Sequence, residues 1–127
     1  MEAYLNKPIL CLDFDGVIHS YISGWQGVDV ANDPPVPGVF DWLERAVQHF
    51  TVYVYSSRSS SPTGRHAMIK YIEPYVNTDI MNQLAFTDEK PRAFLTIDDR
   101  CIQFNGNWWD PTLDPEILLR YQPWNKR

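Results

Sequence analysis

Pro8-Ile9-Leu10-Cys11-Leu12-Asp13-Phe14-Asp15-Gly16 is the stretch on which the fold turns. Its apolar part does not alternate with polar residues, the pattern of a strand covered on both faces by helices, and it stops abruptly at Asp13. Two further runs behave alike: Thr51-Val52-Tyr53-Val54-Tyr55 closes on Ser56, and Ala93-Phe94-Leu95-Thr96-Ile97, read as a buried strand, closes on Asp98. Between them, Val39, Phe40, Leu43, Ala46, Val47 and Phe50 recur at helical spacing and predict an amphipathic helix to about His49. Ser61-Pro62 reads as an N-cap with proline at the first helical position; Met68, Ile72 and Tyr75 mark its buried stripe, and Pro74 ends or kinks it. A short strand is expected near Leu84-Ala85-Phe86. Asn105-Gly106, flanked by Ile102-Gln103-Phe104 and Trp108-Trp109, signals a hairpin, and Asp114-Pro115-Glu116 opens a last helix through about Arg120. Strands alternating with helices predict an α/β fold, a three-layer Rossmann-like parallel sheet.

The chain has 127 residues, the size of one domain, so residues 1–127 are read as a single unit, with the Gly- and Pro-rich stretch 16–38 as an ordered flap. With 44% hydrophobic and 14% aromatic residues it can bury a core of its own. The formal net charge of −5, with no run of like charges, speaks against extended nucleic-acid binding. Cys11 and Cys101 are too few for a disulfide framework. No export signal or membrane-length apolar run is evident, which points to the cytoplasm and away from a membrane.

In an open parallel sheet, strand ends lie along the one edge where such folds bind ligands. Asp13, Asp15, Ser56, Asp98 and Asp99 are therefore expected together, with Lys90 at a loop entering the last strand. Two carboxylates about 4 Å apart repel by ~4 kcal/mol at a surface-like dielectric, so the cluster needs a cation. An all-oxygen set without Cys or His spaced for zinc favours Mg²⁺, and Mg²⁺ beside carboxylates suits phosphoryl chemistry.

Asp13-Phe14-Asp15-Gly16-Val17, Ser56 after a strand, Lys90 and Asp98-Asp99 resemble the four ordered motifs of the haloacid dehalogenase (HAD) superfamily of phosphotransferases. The resemblance spans nearly the whole core. It implies that Asp13 is a nucleophile forming an aspartyl-phosphate, and that Asp15 protonates the leaving oxygen and later activates water. It implies further that Ser56 binds a phosphoryl oxygen and that Lys90 neutralises charge on Asp13 and phosphate. Mg²⁺ would be held by Asp13, Asp98, Asp99 and the backbone carbonyl of Asp15. The dehalogenase branch lacks the second Asp of the first motif, so Asp15 favours phosphate. A receiver domain carries its acidic pair on the first strand and its phospho-acceptor later, the reverse of the order here.

Larger members of that superfamily insert a cap domain between motifs. Here the flap, a helix and a strand fill the interval from Asp13 to Ser56, and a helix and a strand fill that from Ser56 to Lys90, which leaves no room for a cap. The expected activity is an Mg²⁺-dependent phosphomonoester hydrolase of capless type. Its open site would suit a bulky substrate such as a phosphorylated polynucleotide end or a phosphoprotein, unless a neighbouring subunit covers it; a nucleotide or other small phosphorylated molecule is the further candidate. The alternative is a non-catalytic phosphate- or metal-binding module acting through a partner. Flap residues His19, Tyr21, Trp25 and Gln26, with Gly16, Ser57 and Arg58, are the candidates to touch substrate. Arg58 could instead form a salt bridge holding the site, Trp25 could pack on the sheet edge, and His19 could be a solvent-facing loop residue. Arg100 reads as a brace for its loop, and His49 and His66 as solvent-facing.

Overall fold

The computed structural model describes residues 7–127; the part of the leader reading that concerns residues 1–6 lies outside it. Strands β1 (Ile9–Leu12), β2 (Thr51–Val54), β3 (Leu84–Ala85) and β4 (Leu95–Ile97) form one sheet in the order β3-β2-β1-β4, parallel throughout. Helices α1 (Val39–Ala46), α2 (Pro62–Ile72), α3 (Thr78–Met81) and α4 (Pro115–Leu118) accompany it. Among the described residues no helix is long and apolar enough to cross a membrane.

The steps β1 to β2 and β2 to β3 run the same way along the sheet, so right-handed crossovers place α1, α2 and α3 on one face. Register agrees: Leu10 pairs with Val52, Leu12 with Val54, and Val52 with Leu84. All five pack with Leu43 and Ala46 of α1, Met68 and Ile72 of α2, and Ile80 of α3. Each such buried aliphatic side chain contributes about 1.5–3 kcal/mol. On the opposite face Cys11 is buried, whereas Ile9, Tyr53, Ala85 and Thr96 are half-buried and Thr51 is exposed. The β3-to-β4 connection carries no helix that could cover them.

Local sequence explains the helix starts. The Ser61 hydroxyl accepts the Gly64 N–H at 3.0 Å ahead of Pro62, as the capping pattern requires. Pro74 converts the end of α2 into a 3₁₀ turn over Glu73–Tyr75. Gly64 lets α2 lie against the turn that precedes it, because a Cβ there would collide with the Arg58 carbonyl.

Four expectations fail, each for a physical reason. The run at 93–97 is not a buried strand: β4 is an edge strand, and Phe94 is 73% and Leu95 53% exposed. Tyr75 leaves the buried stripe and stacks on Phe40 at 4.7 Å between ring centroids. No hairpin forms about Asn105-Gly106. The side chains of Asn105, Asn107 and Asp110 instead capture the backbone N–H groups of Asn107, Trp109 and Thr112, which offers the backbone turns in place of a ladder. The last helix is one turn, Pro115–Leu118, because it has no core to pack on; Leu119 is 87% exposed.

Candidate active site

β1 is central, and its ladder continues one residue past its end. The Asp13 N–H donates to Ile97 O and the Tyr55 N–H to Leu12 O, both at 3.0 Å. Asp13 therefore sits at the rim between the ends of β2 and β4. Carboxylate oxygens of Asp13, Asp98 and Asp99 lie within 4.8 Å of one another. Gly16 makes this possible: its φ of +84° suits glycine, and a Cβ would strike the Asp99 carboxylate.

Two adjoining cavities meet at Asp13. One, of about 250 Å³, is lined by Asp13, Asp15, Tyr21, Ser56, Ser57, Asp98, Asp99 and Arg100. The other, of about 150 Å³, shares Asp13, Ser56, Ser57 and Asp98 and adds Lys90, Cys11, Tyr55 and Thr96. Five of the six residues named for catalysis and metal, together with Ser57, thus border one cavity, and Lys90 enters from the next. Burial, a hydrogen bond with Asp99 and the charge of Asp98 push the Asp13 carboxyl up to about 8. Burial also pushes up the Cys11 thiol, against the opposing charge of Lys90.

Asp13, Asp98 and Asp99 offer an all-oxygen donor set within 4.8 Å that could hold a hard divalent cation such as Mg²⁺. Burial and the neighbouring Asp99 and Asp98 raise the proton affinity of Asp13, a crowding of negative charge that a cation would relieve.

Asp15 faces different partners. Its Oδ2 accepts Arg58 Nε at 2.9 Å, and its Oδ1 accepts Arg58 Nη2 at 3.1 Å and His19 Nδ1 at 2.9 Å. His19 Nε2 accepts the Asp33 N–H at 3.1 Å, which leaves the ring proton on Nδ1. Burial alone would raise the Asp15 carboxyl, but the hydrogen bonds from His19 and Arg58 outweigh it and hold the group below its ordinary value. The Asp15 side chain is not among the clustered metal-binding carboxylates.

Several substrate candidates are therefore placed elsewhere. Arg58 is fully buried, and its Nη1 also donates to the carbonyls of Gly27 (3.1 Å) and Val28 (2.8 Å), so it ties the flap to Asp15. Trp25 covers that guanidinium at 4.9 Å and does not line the cleft. His19 is 2% exposed and turned inward. Gln26 is exposed on the flap, and His49 and His66 are exposed as expected. Arg100 is not a brace through its side chain: only its backbone N–H is engaged, by Asp98 Oδ1 at 2.8 Å. The Ser56 hydroxyl accepts the Arg58 N–H at 3.0 Å and reaches Met68 Sδ at 3.4 Å, an orientation fixed by the reciprocal Ser56–Ser59 cap.

Sequence reasoning missed the supports. Tyr71 donates to Asp33 O at 2.7 Å, and its ring stands 5.1 Å from that of His19. From the far end of the chain, Trp124 Nε1 donates to Gly16 O (2.6 Å), Asn125 Nδ2 to Ser20 O (2.9 Å) and Lys126 Nζ to Ile22 O (3.0 Å), while the Tyr121 hydroxyl donates to Asp99 O. No spacing in the sequence marks these residues. Comparison of the chain with protein-family models, curated proteins and solved structures finds no match, so the site is read from its own geometry.

Proposed function

We propose that the protein is a capless, HAD-like, Mg²⁺-dependent phosphomonoester hydrolase. The observation that carries this reading is the convergence of Asp13, Asp98 and Asp99 within 4.8 Å at the ends of adjacent parallel strands. Strand order β3-β2-β1-β4, with Asp13 after the central strand, supports the Rossmann-like reading of the sheet, while the helices that pack the core form one layer on one face.

Asp13 would attack phosphorus, and the leaving oxygen would depart with a proton; water would then cleave the aspartyl-phosphate. Mg²⁺ held by Asp13, Asp98 and Asp99 would neutralise charge on the transferring group. Ser56 and Ser57 would donate to phosphoryl oxygens, and Lys90 would offset charge beside Asp13. Asp15, which accepts hydrogen bonds from Arg58 and His19, would exchange a proton with the leaving oxygen and later with water.

One observation favours the second reading, a non-catalytic phosphate- or metal-binding module. Both Asp15 oxygens are engaged and its proton affinity is lowered, which makes it a weak acid catalyst at neutral pH. Phosphate release from an aryl phosphate separates the two. Hydrolysis that needs Mg²⁺, stops with chelator and disappears in Asp13→Asn is expected; Mg²⁺-dependent phosphate binding without turnover would establish the module.

A further inference from the structure

The cation expected to receive substrate, Arg58, has its donors committed to Asp15 and to the Gly27 and Val28 carbonyls. Two cations remain at the cleft, and they stand on different sides of Asp13. Lys90 borders the inner cavity with Cys11, Tyr55 and Thr96, whereas Arg100 borders the outer one with Tyr21. The walls common to both are Asp13, Ser56, Ser57 and Asp98, the groups assigned to the transferring phosphoryl group. Lys90 serves that group from within. Arg100 is left facing whatever the phosphoryl group is attached to.

Two features single out this outer wall. Arg100 borders the cavity beside Asp13, Asp15, Asp98 and Asp99, yet among the described residues its guanidinium has no hydrogen-bond or ion-pair partner. Five donors in a planar fork are thus free to meet an anion bidentately. Tyr21 holds φ at +60°, a backbone state that non-glycine residues rarely adopt. Its ring rests edge-on against His19 at 5.9 Å, and its hydroxyl has no hydrogen-bond partner among the described residues. Tyr21 and Arg100 line the same cavity.

We infer that Tyr21 and Arg100 form a subsite for a second anionic group on the leaving side of the substrate. The cleft then prefers phosphomonoesters that carry a further phosphate or carboxylate over those with a neutral leaving group. This inference rests on the phosphatase reading above and names the substrate class for it. Arg100 supplies the charge, and Tyr21 supplies a hydroxyl donor held at a fixed angle by its backbone.

The test is a ratio of kcat/KM within matched pairs, measured for the wild-type protein, Arg100→Gln and Tyr21→Phe with Mg²⁺. Glycerol 2-phosphate against 2-phosphoglycerate adds a carboxylate; adenosine 3′-monophosphate against adenosine 3′,5′-bisphosphate adds a phosphate. In at least one pair the wild type favours the charged member, and Arg100→Gln reduces that preference about 10- to 100-fold, the loss of one charge-assisted contact. Tyr21→Phe reduces it severalfold. Ratios near one in both wild-type pairs, or an unchanged preference in Arg100→Gln, overturn the subsite while leaving hydrolysis intact. If the wild type releases phosphate from none of the four, the phosphatase reading fails, and calorimetric binding of the two adenosine compounds decides the subsite alone. Tighter bisphosphate binding that Arg100→Gln abolishes sustains it; equal affinities end it.

Discussion

Replacing Arg58 by Met keeps the volume of the side chain and removes its donors. Arg58 is fully buried and the Asp15 side chain only 13% exposed, so the pair belongs with buried ion pairs, where removing one partner costs about 3–5 kcal/mol. The Gly27 and Val28 carbonyls lose their donor at the same time. For a domain of this size 1 kcal/mol moves Tm by roughly 3–6 °C, so a fall of about 10–30 °C is expected. Urea denaturation of the wild type, Arg58→Met, Asp15→Asn and the double variant closes a cycle. The double variant should be less destabilised than the two single losses combined by about 1–3 kcal/mol, because either change alone strands the other partner. The pH dependence supplies a second readout. Because the Asp15 carboxyl is held below its ordinary value, its contribution is complete above the unfolded pKa of about 3.9 and is lost as pH falls through the folded value. In Arg58→Met that part of the acid limb flattens. A loss under about 1 kcal/mol, or strict additivity in the cycle, would refute the role assigned to the pair.

The Asp13 carboxyl, raised to about 8, has the opposite sign: in metal-free protein its contribution to stability is complete below pH 3.8 and declines as pH rises toward 8, by at most ~1.4 kcal/mol per pH unit. Mg²⁺ should therefore raise Tm more at pH 8.5 than at pH 5.5, and Asp13→Asn should remove the difference; an equal Mg²⁺ effect at both pH values speaks against the cluster as the ion's site. Gly64→Ala, which in an ordinary helix interior stabilises by about 1 kcal/mol, should here destabilise by about 1–3 kcal/mol because the new Cβ meets the Arg58 carbonyl. Urea midpoints measure this, and any net stabilisation would show that α2 can move away from the turn.

Much of the sheet was legible because β1 and β2 write their burial directly: Leu10, Leu12, Val52 and Val54 are apolar, in register and fully covered. The polar residues ending those runs were legible for the same reason, since a strand must stop where a side chain needs water or a ligand. Phe94, Leu95 and Ile97 carry the same apolar composition as the central strand, but composition cannot tell an edge from a centre. Whether a third helix covers them depends on the β3-to-β4 connection, which folds as an irregular loop. Asn105-Gly106 was misread because the same residues that favour a hairpin also favour local side-chain capture of the backbone, and no partner strand tipped the balance. Arg58 was open between substrate contact and support, and His19 between substrate contact and a solvent-facing position; only the depth of the Asp15 pocket, a tertiary property, turns both inward onto Asp15.

Asp13 stands near one end of the sequence and the residues that anchor its loop near the other. Trp124 and Asn125 hold carbonyls of Gly16 and Ser20, and Tyr121 holds that of Asp99. The hydrophobic core draws on none of these residues, so the carbonyls of Gly16, Ser20 and Asp99 are fastened by a segment the sheet itself does not need. Fraying of residues 121–126 would therefore loosen the loops carrying Asp13 and Asp99 while the sheet stays closed.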